Sequence, residues 1–169
     1  LTSGFIEIPR ATPIAAEFEQ LWGCEFHFDE QGEIAFPKLL VTHPEKVRYL
    51  LQLAKGLGGD GANDPVDVYR PAPPEEWHVP LNQMIYVGDG ASDMPVFTFL
   101  HERQGLAIGV FKGEAAAKWE GMKEMHPDRR VQNLAPVDYG ETSELMQSLT
   151  LAVESICKQI ALRQLSAGE

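Results

Sequence analysis

Two aspartates, close together and separated by small residues, form the sharpest chemical pattern in the chain. They lie in the sequence Gly-Asp-Gly-Ala-Ser-Asp at residues 88–93, called the carboxylate loop below. Carboxylate oxygens are ligands that Mg2+ prefers, and glycines let the backbone turn tightly beside an ion. Asp-Gly is also a common dipeptide of surface turns, which is the alternative interpretation. Asp89 and Asp93 are therefore predicted to be metal ligands.

Two weaker features could bind an anion. Thr2, Ser3 and Gly4 place hydroxyl groups beside a glycine and backbone amides, which is typical of phosphate cradles as well as of ordinary turns. Lys46 lies near the start of a predicted helix, where the helix macrodipole disfavours a cation. A solvated surface lysine is the common case, so Lys46 indicates a nearby anion only weakly.

The elements that would position the carboxylate loop predict an α/β fold. Residues 84–87 are wholly apolar, which favours a strand covered on both faces, and the loop follows directly. Helical spacing over 95–103 and a second apolar run at 106–111 complete a β-α-β pattern. Ligands bind at the carboxyl ends of strands in such sheets, and the carboxylate loop occupies that position.

Periodicity and turn residues predict the remaining elements. In the first part of the chain they are a helix over 12–22 starting at Thr12-Pro13, a hairpin over 24–36 ended by Pro37, and a helix over 42–56. Thr42 and Glu45 are expected to cap that last helix, and its buried residues are expected to be Val47, Leu50, Leu51 and Ala54. The remaining elements are a long loop over 57–80, a helix over 115–125, a strand over 131–137 and a terminal helix over 143–165.

Composition limits the possible partners and location. The 169 residues fit one domain, and the net charge of -11 argues against binding nucleic acid or an anionic membrane surface. No apolar run is long enough for a membrane span, and no signal segment opens the chain. Cys24 and Cys157 match neither a zinc pattern nor a disulfide framework, so a reducing, cytoplasmic location is expected.

The order of these features resembles the haloacid dehalogenase-like (HAD) superfamily. Thr2 corresponds to the hydroxyl of that family's second motif, Lys46 to the lysine of its third, and Asp89 with Asp93 to the acidic fourth motif. The tract over 84–95 looks especially like the phosphoserine-phosphatase-like branch, as do Ser3-Gly4-Phe5 and the hairpin. The similarity reaches to about Tyr139. It implies a Rossmannoid three-layer sandwich, of which residues 1–169 form the C-terminal part of the core domain.

The resemblance implies Mg2+-dependent hydrolysis of a small phosphorylated metabolite through an aspartyl-phosphate. It assigns catalytic roles to Thr2 and Lys46 and phosphate binding to these two residues together with Ser3 and Gly4. It assigns the Mg2+ ion to Asp89 and Asp93. Phosphoglucomutase-type transfer is another chemistry of the family and remains an alternative. Dehalogenation is argued against by these two aspartates, because dehalogenases do not need magnesium.

One departure from the family is serious. The Asp-x-Asp motif that supplies the nucleophile occurs nowhere in the chain, which begins at Leu1. We expect an N-terminal segment of the same protein to carry that motif, the first strand and any cap, and the chain alone to be inactive. The alternative is a catalytically inactive HAD-like module that binds a metal or a partner.

Overall fold

The computed structural model describes residues 1–57, 65–73, 76–113 and 131–166. These residues form a mixed α/β structure with two compact units, Leu1–Pro71 and Ala72–Glu169, called unit 1 and unit 2. The helix predicted over 115–125 lies outside the described residues, as does part of the loop predicted over 57–80. Within that loop, Pro65–Tyr69 forms a 3-10 helix.

Unit 1 combines a hairpin with helices. Its elements are helix α1 (Glu7–Arg10), a 3-10 turn (Pro13–Glu17), strand β1 (Glu25–Phe28), strand β2 (Ile34–Leu39) and helix α2 (Glu45–Ala54). Phe5 forms an isolated parallel bridge with Cys24. Cys24, Val41 and Tyr49 form the buried centre, against which Leu1, Phe5 and Trp22 pack. The N-terminal segment and α2 therefore share one small core.

The predicted hairpin is confirmed, although it is longer than expected. β1 and β2 pair antiparallel, and Asp29 Oδ1 organises the turn by accepting the amides of Gln31 and Glu33 at 2.9 Å each. Pro37 was expected to end β2, but the strand continues to Leu39. Within the described residues β2 pairs only with β1, and an edge strand of this kind is where proline is tolerated.

The helix predicted over 12–22 is wrong beyond Glu17. The segment forms only the 3-10 turn, and Phe18 has extended backbone with ψ 123°. Thr12 donates its hydroxyl to the Pro9 carbonyl at 2.6 Å instead of capping a helix. Ile14 and Phe18 are 56% and 47% exposed, so among the described residues these two apolar side chains are not buried against a core. Short helices depend on such packing for their stability.

Unit 2 is built around a three-stranded parallel sheet. Strands β3 (Ile85–Gly88), β4 (Leu106–Phe111) and β5 (Asn133–Pro136) are arranged in that order. The parallel pairing of β3 with β4 confirms the predicted β-α-β pattern. Helix α3 (Met94–His101) connects β3 to β4, and helix α4 (Glu144–Ser166) follows β5. β3 was predicted to be covered on both faces, but this is wrong for Val87, which is 38% exposed.

The alternation of β4 side chains places one helix on each face of the sheet. Ala107 packs with Phe97 of α3, whereas Ile108 and Val110 pack with Leu145 of α4. Successive residues of a strand point to opposite faces, so α3 and α4 cover opposite sides. Unit 2 therefore has helix, sheet and helix layers. Among the helices of the described residues, none is both long and apolar enough to cross a bilayer.

Candidate functional site

The carboxylate loop lies at the carboxyl end of β3, as predicted. β3 ends at Gly88, which lies opposite Gly109 of β4 in the parallel register. The loop then turns through a 3-10 segment, Ala91–Asp93, directly into α3. This is the edge of a parallel sheet where ligands bind in open α/β folds.

Asp93 is the internal anchor of this loop. It is 2% exposed, and its Oδ2 accepts the backbone amides of Asp89 at 3.0 Å and Gly90 at 3.3 Å. Its Oδ1 accepts the Tyr86 hydroxyl at 2.6 Å. A buried carboxylate is costly unless it accepts such hydrogen bonds. Asp93 therefore fixes the backbone of the loop.

Asp89 differs from Asp93, although both were predicted to be metal ligands. Its amide is held by Asp93, while the residue itself is exposed. A carboxylate on a fixed backbone with access to solvent can bind a hydrated cation with little reorganisation. Of the two candidate ligands, Asp89 is therefore the more accessible to a cation, and Asp93 is engaged in holding the loop.

Tyr86 belongs to the candidate site, although the sequence did not predict it. Its hydroxyl is part of the hydrogen-bond network beneath the loop, and its ring packs edge-on against Phe97 at 5.9 Å between centroids. Burial, the hydrogen bond to Asp93 and the nearby carboxylate charges all raise the pKa of Tyr86 well above its usual value. The hydroxyl thus stays a donor at neutral pH. A tyrosine in an otherwise apolar strand was the available signal, since buried tyrosine hydroxyls usually have a partner.

The Thr2-Ser3-Gly4 segment is a tight turn in unit 1. Thr2 Oγ1 accepts the Gly4 amide at 2.9 Å, and the Thr2 amide donates to the Trp22 carbonyl at 2.8 Å. Those two amides are thus engaged within the unit, and Gly4 could donate to a phosphate only if its bond to Thr2 opened. Within the described residues, Ser3 Oγ is buried and has no hydrogen-bond partner. Of the hydroxyls in this segment, Ser3 Oγ therefore has the clearest unused hydrogen-bonding capacity.

Lys46 is buried instead of solvated. It is 4% exposed on α2, whose buried residues also include Tyr49, Leu50 and Ala54. Val47 and Leu51, which were predicted to be buried, are half-buried. Tyr49 lies nearly one turn after Lys46 and packs in the core that Leu1 and Phe5 flank. A buried ammonium requires compensating oxygen atoms, so this position is stronger evidence for a specific role than the sequence provided.

The residues only partly fit a metal site. Across the described ranges, no group of three or more His, Cys, Asp or Glu side chains is arranged to hold an ion. Mg2+ is often bound through one or two carboxylates, with water and substrate phosphate completing the octahedron. The carboxylate loop meets this smaller requirement, and further oxygen ligands would have to come from elsewhere.

Comparisons with known proteins identify one distant relative and no protein of known activity. No family model matches the chain. An uncharacterized protein of Borreliella burgdorferi (strain ATCC 35210 / DSM 4680 / CIP 102532 / B31) is 25% identical over 179 residues, which cover 95% of this chain and 57% of that protein. The chain thus spans little more than half the length of this relative. No solved structure matches it.

Proposed function

We propose that the chain is part of a Mg2+-dependent phosphohydrolase of HAD-like architecture that acts on a small phosphorylated metabolite. The observation that carries the proposal is the carboxylate loop: an exposed Asp89 on a backbone that a buried Asp93 fixes, at the carboxyl end of β3. This combination is what a metal ligand needs, namely access for the ion and a rigid support.

The proposal gives each candidate residue a role. Asp89 ligates the cation and Asp93 holds the loop. Ser3 and Thr2 donate hydroxyl hydrogens to the phosphoryl oxygens, and Lys46 offsets their negative charge. Bound Mg2+ would supply charge neutralisation of the phosphoryl group. The buried, unpartnered Ser3 Oγ and the buried Lys46 support these assignments within unit 1.

The nucleophile belongs to another part of the protein in this proposal. The chain contains no Asp-x-Asp motif, and the described residues offer no third metal-ligating side chain beside the loop. A segment carrying that motif on a further strand, paired with β3, would complete both the ligand set and the sheet. An aspartate of that segment would attack phosphorus, the bond to the substrate oxygen would break and the alcohol would leave, and water would then hydrolyse the aspartyl-phosphate. The competing function, an inactive metal- or partner-binding module, requires no such segment.

The experiment measures hydrolysis of p-nitrophenyl phosphate by the complete protein across a Mg2+ titration. We expect Asp89→Asn to lower kcat/KM by on the order of 100-fold, the scale of losing one electrostatic stabiliser at a phosphoryl centre. Asp138→Asn is the matched control, because Asp138 also follows a strand of this sheet and its Oδ1 accepts the Gly140 amide at 2.8 Å, which an asparagine can preserve.

The outcomes separate the two functions. Mg2+-dependent turnover that is lost in Asp89→Asn and kept in Asp138→Asn supports the phosphohydrolase. Equal turnover in wild type and Asp89→Asn would remove Asp89 from the metal site. Mg2+ binding without turnover in the complete protein would favour the inactive module.

A further inference from the structure

The Tyr86 hydroxyl connects a strand of the sheet to the loop that carries the candidate ligand. Its hydrogen bond to Asp93 Oδ1 is 2.6 Å long, which is typical of a strong, charge-assisted bond. The other oxygen of the same carboxylate accepts two consecutive backbone amides. One side chain of the sheet and two peptide groups of the loop thus meet at one buried carboxylate.

This arrangement makes the loop backbone depend on the orientation of the Asp93 carboxylate. If the carboxylate rotates, Oδ2 moves away from the amides of Asp89 and Gly90, and both donors lose their acceptor. The Tyr86 bond to Oδ1 opposes that rotation. The backbone from which Asp89 presents its carboxylate is therefore held through two successive hydrogen bonds that lead from Tyr86 through Asp93 to the Asp89 amide.

Tyr86 is well suited to this role because it is itself held in place. Its backbone pairs with Ala107 in the register of β3 and β4. Its ring lies edge-on to Phe97, at an interplanar angle of 74°, and Phe97 is fully buried. A donor fixed by both backbone and ring loses little entropy when it binds the carboxylate.

We propose that Tyr86 is a positioning residue for cation binding by the carboxylate loop: through Asp93 it holds Asp89 in the conformation that binds a divalent ion. This inference rests on the proposed function, since it assumes that Asp89 binds Mg2+. It goes beyond that function by making the affinity for the ion depend on a phenol hydroxyl outside the ligand set. Partners that orient a metal ligand commonly change affinity by 10- to 100-fold when removed.

The test compares Mg2+ binding to the complete protein and to Tyr86→Phe, by calorimetry with Mg2+ alone. We expect the dissociation constant to rise about tenfold or more, the lower end of that range. Ile108→Val is the control for stability: Ile108 is buried on the opposite face of the sheet, in the cluster with Leu145. This control should lower the unfolding midpoint slightly and leave Mg2+ affinity unchanged.

A double-mutant cycle distinguishes positioning through Asp93 from a direct effect. In an Asp93→Asn background, the additional Tyr86→Phe change should alter Mg2+ affinity less than about twofold, since the pathway is already interrupted. The inference would be overturned if the fold-change in Mg2+ affinity of the double mutant equalled the product of the two single fold-changes. Unchanged Mg2+ affinity in Tyr86→Phe would also overturn it. If the wild-type protein binds no Mg2+, the proposed function fails and the inference fails with it.

Discussion

The two glycines of the carboxylate loop differ in how much room there is for a side chain. A Cβ at Gly88 would lie 2.6 Å from Asp93 Cγ and 2.7 Å from its Oδ2, closer than non-bonded carbon and oxygen can approach. Gly88 is therefore required because the buried carboxylate lies against its backbone. Gly90 is different: a Cβ there would meet nothing within 4 Å, and its backbone is extended with φ -172°.

The two glycines of the same loop should respond oppositely to alanine. We expect Gly88→Ala to lower the free energy of unfolding by about 1–3 kcal/mol, the usual cost of overpacking, and to weaken Mg2+ binding by displacing Asp93. Gly90→Ala should change stability by less than about 0.5 kcal/mol, as surface substitutions usually do. Urea unfolding of both variants checks this. Equal stability of the two would show that Asp93 is not fixed against Gly88.

The candidate site could be predicted from the sequence only as far as residue type and chain order go. Two aspartates after an apolar strand identified the loop correctly, but spacing treats Asp89 and Asp93 alike. Which carboxylate turns inward depends on the donors that surround it, and those of Asp93 include the Tyr86 hydroxyl and two peptide amides. The burial of Lys46 could not be seen either, because it depends on which face of α2 the rest of unit 1 covers.

At the scale of elements, the start of α2 forms half of the predicted capping box. The Thr42 amide donates to the Glu45 carboxylate as predicted, but no side chain caps the first amides of the helix. The amide and the hydroxyl of Thr42 both donate to Glu45 Oε2, at 2.8 and 2.9 Å. The carboxylate at the first turn also suits the positive end of the helix dipole.

These two donors, with Arg48 nearby, lower the pKa of Glu45 below its usual value despite partial desolvation. A carboxyl group with a depressed folded-state pKa contributes stability above its unfolded pKa of about 4.3, and that contribution is lost as the pH falls through the folded value. We therefore expect wild type to exceed Glu45→Gln in thermal midpoint at pH 6 and the difference to shrink towards pH 3. Glu19→Gln, at an exposed position outside the helices and strands, controls for loss of one charge. A difference that grows on acidification would contradict the assignment.

The elements that could be predicted are those whose structure is set by residues close together in the sequence. The hairpin, the parallel strands, α3 and α4 have strong turn residues or apolar periods and were found. Gly56, with φ 67°, lies just after the end of α2, where a glycine was expected to stop the helix. The helix over 12–22 failed because its apolar spacing required a partner surface, and burial of that kind is a property of the whole unit.

At the scale of the whole molecule, the two sheets that the described residues form differ in how their outer strands discourage pairing with another chain. In unit 1, Pro37 and Lys38 lie in β2, and both residue types discourage pairing with another chain. In unit 2, no strand of the described residues pairs with the outer side of β3, and its Val87 is 38% exposed. The proposed further strand would occupy that side of β3 in the complete protein.

A charge placed at Val87 therefore tests the proposed further strand in two ways. It should reduce self-association of the 169-residue chain, and it should lower the thermal stability of a complete protein that contains the proposed strand. In the 169-residue chain alone, Val87→Lys should reduce self-association, measured by light scattering, because a charged edge repels further strands. In the complete protein, where we propose that β3 is paired and covered, the same lysine would be partly desolvated and should lower Tm. Val137→Lys, at a 43% exposed position just after β5, controls for the added charge and should change neither measurement much. If Val87→Lys leaves the Tm of the complete protein unchanged, β3 is an edge strand there too, and the further strand must be placed elsewhere.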